Sequence, residues 1–215
     1  MIITILVDDM KSWFIPHARK LVSLLEKEHD VTLIHDYQNL RHGDCAFFLS
    51  CVKIVPAEFL KLNRHNIAVH PSDLPKGRGW SPLTWQILEG KNKIPIVLFE
   101  AVKEMDRGKI YFRDFLEFEG HELNDELKQK QGEKVMELVL KFIKSQGNAK
   151  GTKQKGKPTF YRRRTKEDCE LSINKTIREQ FNSLRIGDNE RYPSSFRYKG
   201  HKYILKIYKE KDGGM

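Results

Sequence analysis

Short apolar runs alternate with amphipathic segments through the first half of the chain, and this alternation limits the fold more than any other feature. Residues 2–7 form a β-branched run that stops at Asp8-Asp9. Residues 14–28 then set Phe14, Ala18, Leu21 and Leu25 at helical spacing. Val31 to His35 and Cys45 to Ser50 read as second and third strands, and Pro56 opens a short helix through Leu62. Ile67 to His70 and Ile94 to Glu100 supply a fourth and a fifth strand. Short runs that are apolar throughout, with helices between them, predict parallel strands buried on both faces. The expected class is α/β, with a Rossmann-like open, mostly parallel sheet whose sites gather at the carboxyl ends of the strands.

The second half changes character. Lys109 to Phe118 reads as a further strand or hairpin arm. Leu123 to Ile143 reads as a long helix striped by Leu127, Val135, Leu138, Val139, Phe142 and Ile143. Residues 146–157 hold no large apolar side chain and predict a solvated basic linker. A helix is expected over 172–184, and Ser195 to Tyr208 alternates around Lys199-Gly200 as a β-hairpin does. The expected organisation is a core domain at 1–145, a linker at 146–157 and a small C-terminal extension at 158–215, with a helix and the hairpin.

Several function classes are disfavoured. No apolar run approaches the roughly 18 residues that span a bilayer, and the N-terminal run has no basic lead and is too short for a signal peptide. Cys45, Cys51 and Cys169 show no C-x-x-C spacing, which suggests a reduced, cytoplasmic chain without a structural zinc. The histidines are scattered without ligand spacing, so no metal is expected. No glycine occurs between Asp8 and Trp13, so the sheet lacks a dinucleotide fingerprint.

Most of the chemistry lies in one stretch, His65-Asn66-Ile67-Ala68-Val69-His70-Pro71-Ser72-Asp73-Leu74-Pro75-Lys76-Gly77-Arg78-Gly79-Trp80-Ser81-Pro82. A strand ends at His70. Pro71, Pro75, Gly77, Gly79 and Pro82 then fix an irregular loop of the kind that presents amides and side chains to ligands. Met105-Asp106-Arg107-Gly108-Lys109-Ile110 puts Asp106 in a turn between two expected strands. A turn aspartate can simply hold its own backbone, so spacing alone gives it no role. Trp13, Trp80 and Trp85 could stack on a ligand ring or pack in the core. Asp8 and Asp9 follow the first strand where a ligand could be met.

In order along the chain, three segments resemble the formyltransferases that use 10-formyltetrahydrofolate. Phe47 to Pro56 resembles the strand-loop-Pro segment that lines that family's folate pocket. His70 to Pro82 is similar to its His-x-Ser-x-Leu-Pro-x-x-Arg-Gly-x-x-Pro signature, and Asp106 to Ile110 to its Asp-x-Gly-x-Ile turn. The resemblance implies the formyltransferase fold, with His70 and Asp106 catalytic. It places Ser50, Cys51, Val52, Ile54, Pro71, Leu74, Gly79 and Trp80 against 10-formyltetrahydrofolate. Tyr161 to Asp168, Arg185 to Pro193 and the hairpin are similar to the short sugar N-formyltransferases of surface-polysaccharide pathways. That likeness implies a nucleotide-linked amino sugar as acceptor. It makes Lys76, Arg78, Arg162, Arg163 and Arg164 candidate substrate contacts, and it suggests a homodimer through the C-terminal region.

Formyl transfer to an amine passes through a tetrahedral intermediate. It needs a base for the amine proton, a donor for the developing oxyanion and a group that tunes the base. The family carries Asn two residues before its His, where this chain has Ala68. Asn66 shares the strand face of His70 but lies about 6–7 Å further from the loop. Asn66 and Ser72 are candidate oxyanion or support residues, a loop amide is another, and catalysis without such a side chain, or loss of activity, completes the set. Two other readings stand beside the sugar enzyme: methionyl-tRNA formylation, and a non-catalytic nucleic-acid-binding relative. Charge bears on the choice. The chain carries +10, but residues 146–165 hold seven Lys and Arg and no acid, which leaves +3 for the rest. The excess is local, which fits a confined anion site better than an extended nucleic-acid face.

Overall fold

The computed structural model describes residues 1–145 and 148–210. β1 (Ile2–Leu6) leads through α1 (Ile15–Leu25) to β2 (Asp30–Ile34) and β3 (Gly43–Phe48). The one-turn α2 (Ala57–Leu60) precedes β4 (Asn63–His70), and the two-residue β5 (Arg78–Gly79) precedes α3 (Pro82–Leu88). β6 (Lys93–Glu100), β7 (Ile110–Glu117) and α4 (Asn124–Lys144) follow. Then come β8 (Phe160–Tyr161), β9 (Glu170–Leu171), α5 (Phe181–Arg185), β10 (Ser194–Tyr198) and β11 (His201–Leu205).

Six strands form an open sheet in the order β2-β1-β3-β4-β6-β7. The first four are parallel, as their apolar runs predict, whereas β6 runs antiparallel to β4 and β7 antiparallel to β6. The connection from His70 to Lys93 is long enough for a crossover, but its irregular loop and the seven-residue α3 pack at the end where β4 finished, lining the cavity there, and the chain re-enters the sheet from that end.

Both faces of the sheet are covered. Ile3 and Ile5 of β1, Phe47 of β3 and Ile96 and Leu98 of β6 pack with Ala18 and Leu21 of α1 and Leu138, Val139 and Phe142 of α4. The alternate positions Leu6, Ala46 and Phe48 point the other way and pack near α2, as a period of two requires. The two large helices meet closely: a Cβ on Gly132 of α4 would lie 2.4 Å from His17 Nε2 of α1.

The expected helix over 172–184 is corrected to the five residues of α5. Ile173 and Ile177 stay exposed, so no apolar face is buried to support a longer helix. Ser172 and Thr176 instead give their backbone N–H groups to the side chains of Gln180 and Glu179. The hairpin forms as expected, with Lys199 and Gly200 at φ 46° and 81°, both in the region that tight hairpin turns demand. The C-terminal piece docks through Arg185, which is 1% exposed. Its guanidinium donates to Asn92 and Asn182 and lies 3.6 Å from the buried Glu122 carboxylate. Among the described residues, no helix is long and apolar enough to cross a membrane.

Candidate active site

A cavity of about 600 Å³ opens where β1, β3 and β4 end, the position the open α/β sheet favours. Its walls come from the loops after these strands, the start of α3, the turn between β6 and β7, one side of α4, and the C-terminal residues Arg163, Arg164, Asp188, Arg191 and Tyr192. Val52, Ile54, Val102 and Met105 line it while remaining exposed, giving the mouth an apolar rim.

His70 ends β4 and lines the cavity. Its Nε2 lies 2.8 Å from the carbonyl of Gly77. A carbonyl can only accept, so Nε2 carries the proton and Nδ1 is the basic nitrogen. Among the described residues Nδ1 has no hydrogen-bond partner, and it is not enclosed. Asp106 places Oδ2 at 3.9 Å from Nε2 and accepts the Gly79 N–H at 2.9 Å. The pair therefore consists of an imidazole oriented through its Nε2–H with a carboxylate at that edge, a geometry suited to taking a proton at Nδ1 and stabilising the resulting imidazolium.

The backbone around this pair is unusual. Ser50, Ser81 and Asp106 have φ of 56°, 47° and 56° without being glycine, and all three line the cavity. Side chains held in this sparsely populated region collect at functional sites. Gly79 has φ 98°, and a Cβ there would stand 2.4 Å from the Tyr161 carbonyl, so only glycine fits between β5 and β8.

Of the residues expected to meet the folate, Ser50, Cys51, Val52, Ile54, Pro71, Gly79 and Trp80 line the cavity together. Leu74 does not; it is buried with Val97, Phe99 and Ile110 behind the wall. Burial and the nearby Asp8 carboxylate push the Cys51 thiol up to about 12, so it stays protonated at neutral pH. Arg163 and Arg164 line the cavity, with Arg163 over the Trp80 ring and Arg164 near Tyr192. Arg162 lies outside it, paired with Asp168 and stacked on Trp85. Lys76 is exposed and away from the cavity. Arg78 is 7% exposed and donates to Gln154 at 2.6 Å; burial, then the Arg107 charge, lower its basicity.

Neither Asn66 nor Ser72 faces the cavity. The Asn66 carboxamide donates to Leu60 O at 2.8 Å, so it serves the β4–α2 junction. The Ser72 hydroxyl is enclosed and unpartnered. Ala68 contributes no donor beside His70. Six of the loop amides are engaged as well. The N–H groups of Ser72, Lys76 and Trp80 donate to the carbonyls of His70, Asp73 and Tyr161. Those of Gly77 and Arg78 go to Thr159 Oγ1 and the Thr159 carbonyl, and that of Gly79 goes to Asp106. The wall also carries the hydroxyls of Ser12 and Ser50, which lie 3.1 Å apart, and those of Ser81 and Thr84.

Some contributors carry no sequence signal for their role. Asp8 follows β1, and its carboxylate accepts the N–H groups of Val52 and Lys53 at 2.9 and 2.6 Å, bracing the loop after β3. Arg191 pairs with Asp9 at 3.2 Å, and both line the cavity. Lys128 of α4 pairs with Asp188 at 2.6 Å. Among the described residues, no group of three His, Cys, Asp or Glu side chains is placed to hold a metal ion.

Comparison with known proteins follows the same lines. The Formyl transferase family model matches residues 19–143. A methionyl-tRNA formyltransferase of Fusobacterium nucleatum is 31% identical over 192 residues, covering 86% of this chain and 60% of the relative, so the chain spans about three fifths of that protein. The solved structure of a methionyl-tRNA formyltransferase from Clostridium thermocellum superposes with a TM-score of 0.82 at 23% identity, over 100% of this chain and 96% of that one. A sugar N-formyltransferase from a Shewanella species superposes with a TM-score of 0.74 at 16% identity, over 98% of each chain.

Proposed function

The chain belongs to the formyl transferase family, and on that premise we propose that it moves a formyl group from 10-formyltetrahydrofolate to the amino group of a nucleotide-linked amino sugar. The observation that carries this reading is His70. Its Nδ1, without a hydrogen-bond partner among the described residues, belongs to a cavity that Arg163 and Arg164 also line. The residues present fit the folate: the apolar rim of Val52, Ile54, Val102 and Met105 offers a surface for flat rings beside the His70 wall.

In this reading His70 Nδ1 takes the proton from the attacking amine, while Nε2–H stays on the Gly77 carbonyl. Asp106 stabilises the imidazolium so formed. The proton returns to the departing nitrogen of the folate. Hydroxyls of the wall, Ser50 and Ser81 among them, take up the oxyanion in place of the carboxamide absent at position 68. Arg163 and Arg164 meet the diphosphate of the sugar nucleotide, where a guanidinium can bond two oxygens at once. Arg191 and Lys128 are already neutralised by Asp9 and Asp188, which leaves Arg163 and Arg164, with Lys53, as lining cations without a paired carboxylate among the described residues.

The test is incubation with 10-formyltetrahydrofolate and a panel of nucleotide-linked amino sugars, read by mass spectrometry. Gain of one CO by a sugar supports the reading, and its loss in His70→Gln assigns the base. A second acceptor, methionyl-tRNA, is favoured by the curated relative. It predicts formylation of charged initiator tRNA and binding that weakens steeply with salt. Turnover of tRNA and of no sugar would replace the first reading with the second.

A further inference from the structure

Residues 152–161 lie as a strap over the two loops that surround His70. Thr152 exchanges backbone hydrogen bonds with Ile110 at 2.8 Å each. Thr159 takes the N–H groups of Gly77 and Arg78, and the Tyr161 carbonyl takes that of Trp80. Between these anchors the Gln154 carboxamide reaches inward. Its Nε2 donates to the carbonyls of Asp106 and Gly108 at 2.8 and 2.9 Å, and its Oε1 accepts from Arg78 Nη2 at 2.6 Å.

One side chain thus joins the turn that carries Asp106 to the loop that carries Gly77 and Gly79. That loop holds His70 Nε2 on the Gly77 carbonyl and Asp106 Oδ2 on the Gly79 N–H. The chemistry of the position is narrow. Two donors and one acceptor in a planar head describe a carboxamide; a carboxylate cannot donate to the two carbonyls, and an ammonium cannot accept from Arg78. A tether is also needed, because Asp106 sits at φ 56°, a conformation that persists only when its surroundings fix it.

We infer that Gln154 is a positioning residue, which sets the Asp106 carboxylate beside His70 by tying the Asp106 turn to the Arg78 loop. Its bearing on catalysis rests on His70 being the base; the placement itself does not, and the experiment reads the placement alone. The full chain is followed by NMR at fixed pH through the His70 ring Cε1–H signal, assigned by its loss in His70→Gln. Asp106→Asn is expected to displace that signal. Gln154→Leu is expected to displace it comparably and in the same direction, with no further displacement in the Gln154→Leu, Asp106→Asn double variant. Gln154→Glu, which keeps size and polarity but not the two donors, is expected to behave like Gln154→Leu and serves if the leucine variant folds poorly. A His70 signal left in place by folded Gln154→Leu or Gln154→Glu overturns the inference. So does a signal that Asp106→Asn fails to move, or additive displacements in the double variant.

Discussion

Removing the charge of Glu122 should loosen the C-terminal piece from the sheet, by an amount the structure lets one work out. The Glu122 carboxylate is 1% exposed. It accepts the N–H groups of Glu119 and Gly120 and the Lys130 ammonium at 2.8 to 2.9 Å, beside the buried Arg185. Burial by itself would raise its pKa, but the Lys130 contact and these amides hold it at about 2 instead of 4.5. At 1.36 kcal/mol for each pKa step, the charged form contributes about 3 kcal/mol near neutrality. The folded value is depressed, so this stability is complete above pH 4.5 and is lost as pH falls toward 2. Glu122→Gln keeps the shape but turns an N–H donor toward other donors and leaves the Arg185 guanidinium without a counter-charge. Breaking a buried pair from one side costs about 3–5 kcal/mol. Urea unfolding followed by tryptophan fluorescence should therefore show the variant about 3 kcal/mol less stable at pH 7, with the gap to wild type closing between pH 4.5 and 2. A variant within about 1 kcal/mol of wild type at pH 7, or a gap that ignores pH, would refute the reasoning.

Other substitutions test other links. Gly132→Ala should cost about 1–3 kcal/mol in thermal unfolding, because its Cβ would meet the His17 ring at 2.4 Å. Ala68→Asn should raise the formyl-transfer rate by about tenfold or more, since a side-chain donor at an oxyanion is worth 10²–10³ in related chemistry; a folded variant with unchanged kcat would show that the wall hydroxyls already suffice. Arg163→Ala and Arg164→Ala should raise KM for the anionic acceptor by tenfold or more while leaving KM for the folate near wild type, measured by steady-state kinetics.

The strands and large helices were legible because each buries a periodic apolar set, and burial rewards the same period that reading detects. The direction of β6 was not, since it depends on where the loop and α3 after β4 pack, which no local pattern records. The helix expected over 172–184 failed for a related reason: Ile173 and Ile177 have helical spacing but nothing to pack on. His70 and its loop stood out because Pro71, Pro75, Gly77 and Gly79 fix a backbone that simple turns do not need. Asp106 was visible only through a family motif. Gln154 gave no sign, because its partners lie 46 to 76 residues away and its immediate neighbours are lysines. Asn66 was legible as sharing the His70 face, but the sequence could not show that Leu60 already holds its carboxamide.

The pairing of β5 with β8 has a consequence for how the protein is born. The sheet and its two helices involve residues up to Lys144 and could close on the ribosome as soon as these emerge. The candidate site cannot. Gly77, Arg78 and Trp80 receive their backbone partners from Thr159 and Tyr161, so the histidine and its carboxylate are held in register only after that later stretch is translated. A nascent chain would thus acquire its sheet first and the frame around His70 and Asp106 afterwards. A product stopped short of Thr159 would lack that frame, and with it Ile186 of the core and the Arg185 partner of Glu122.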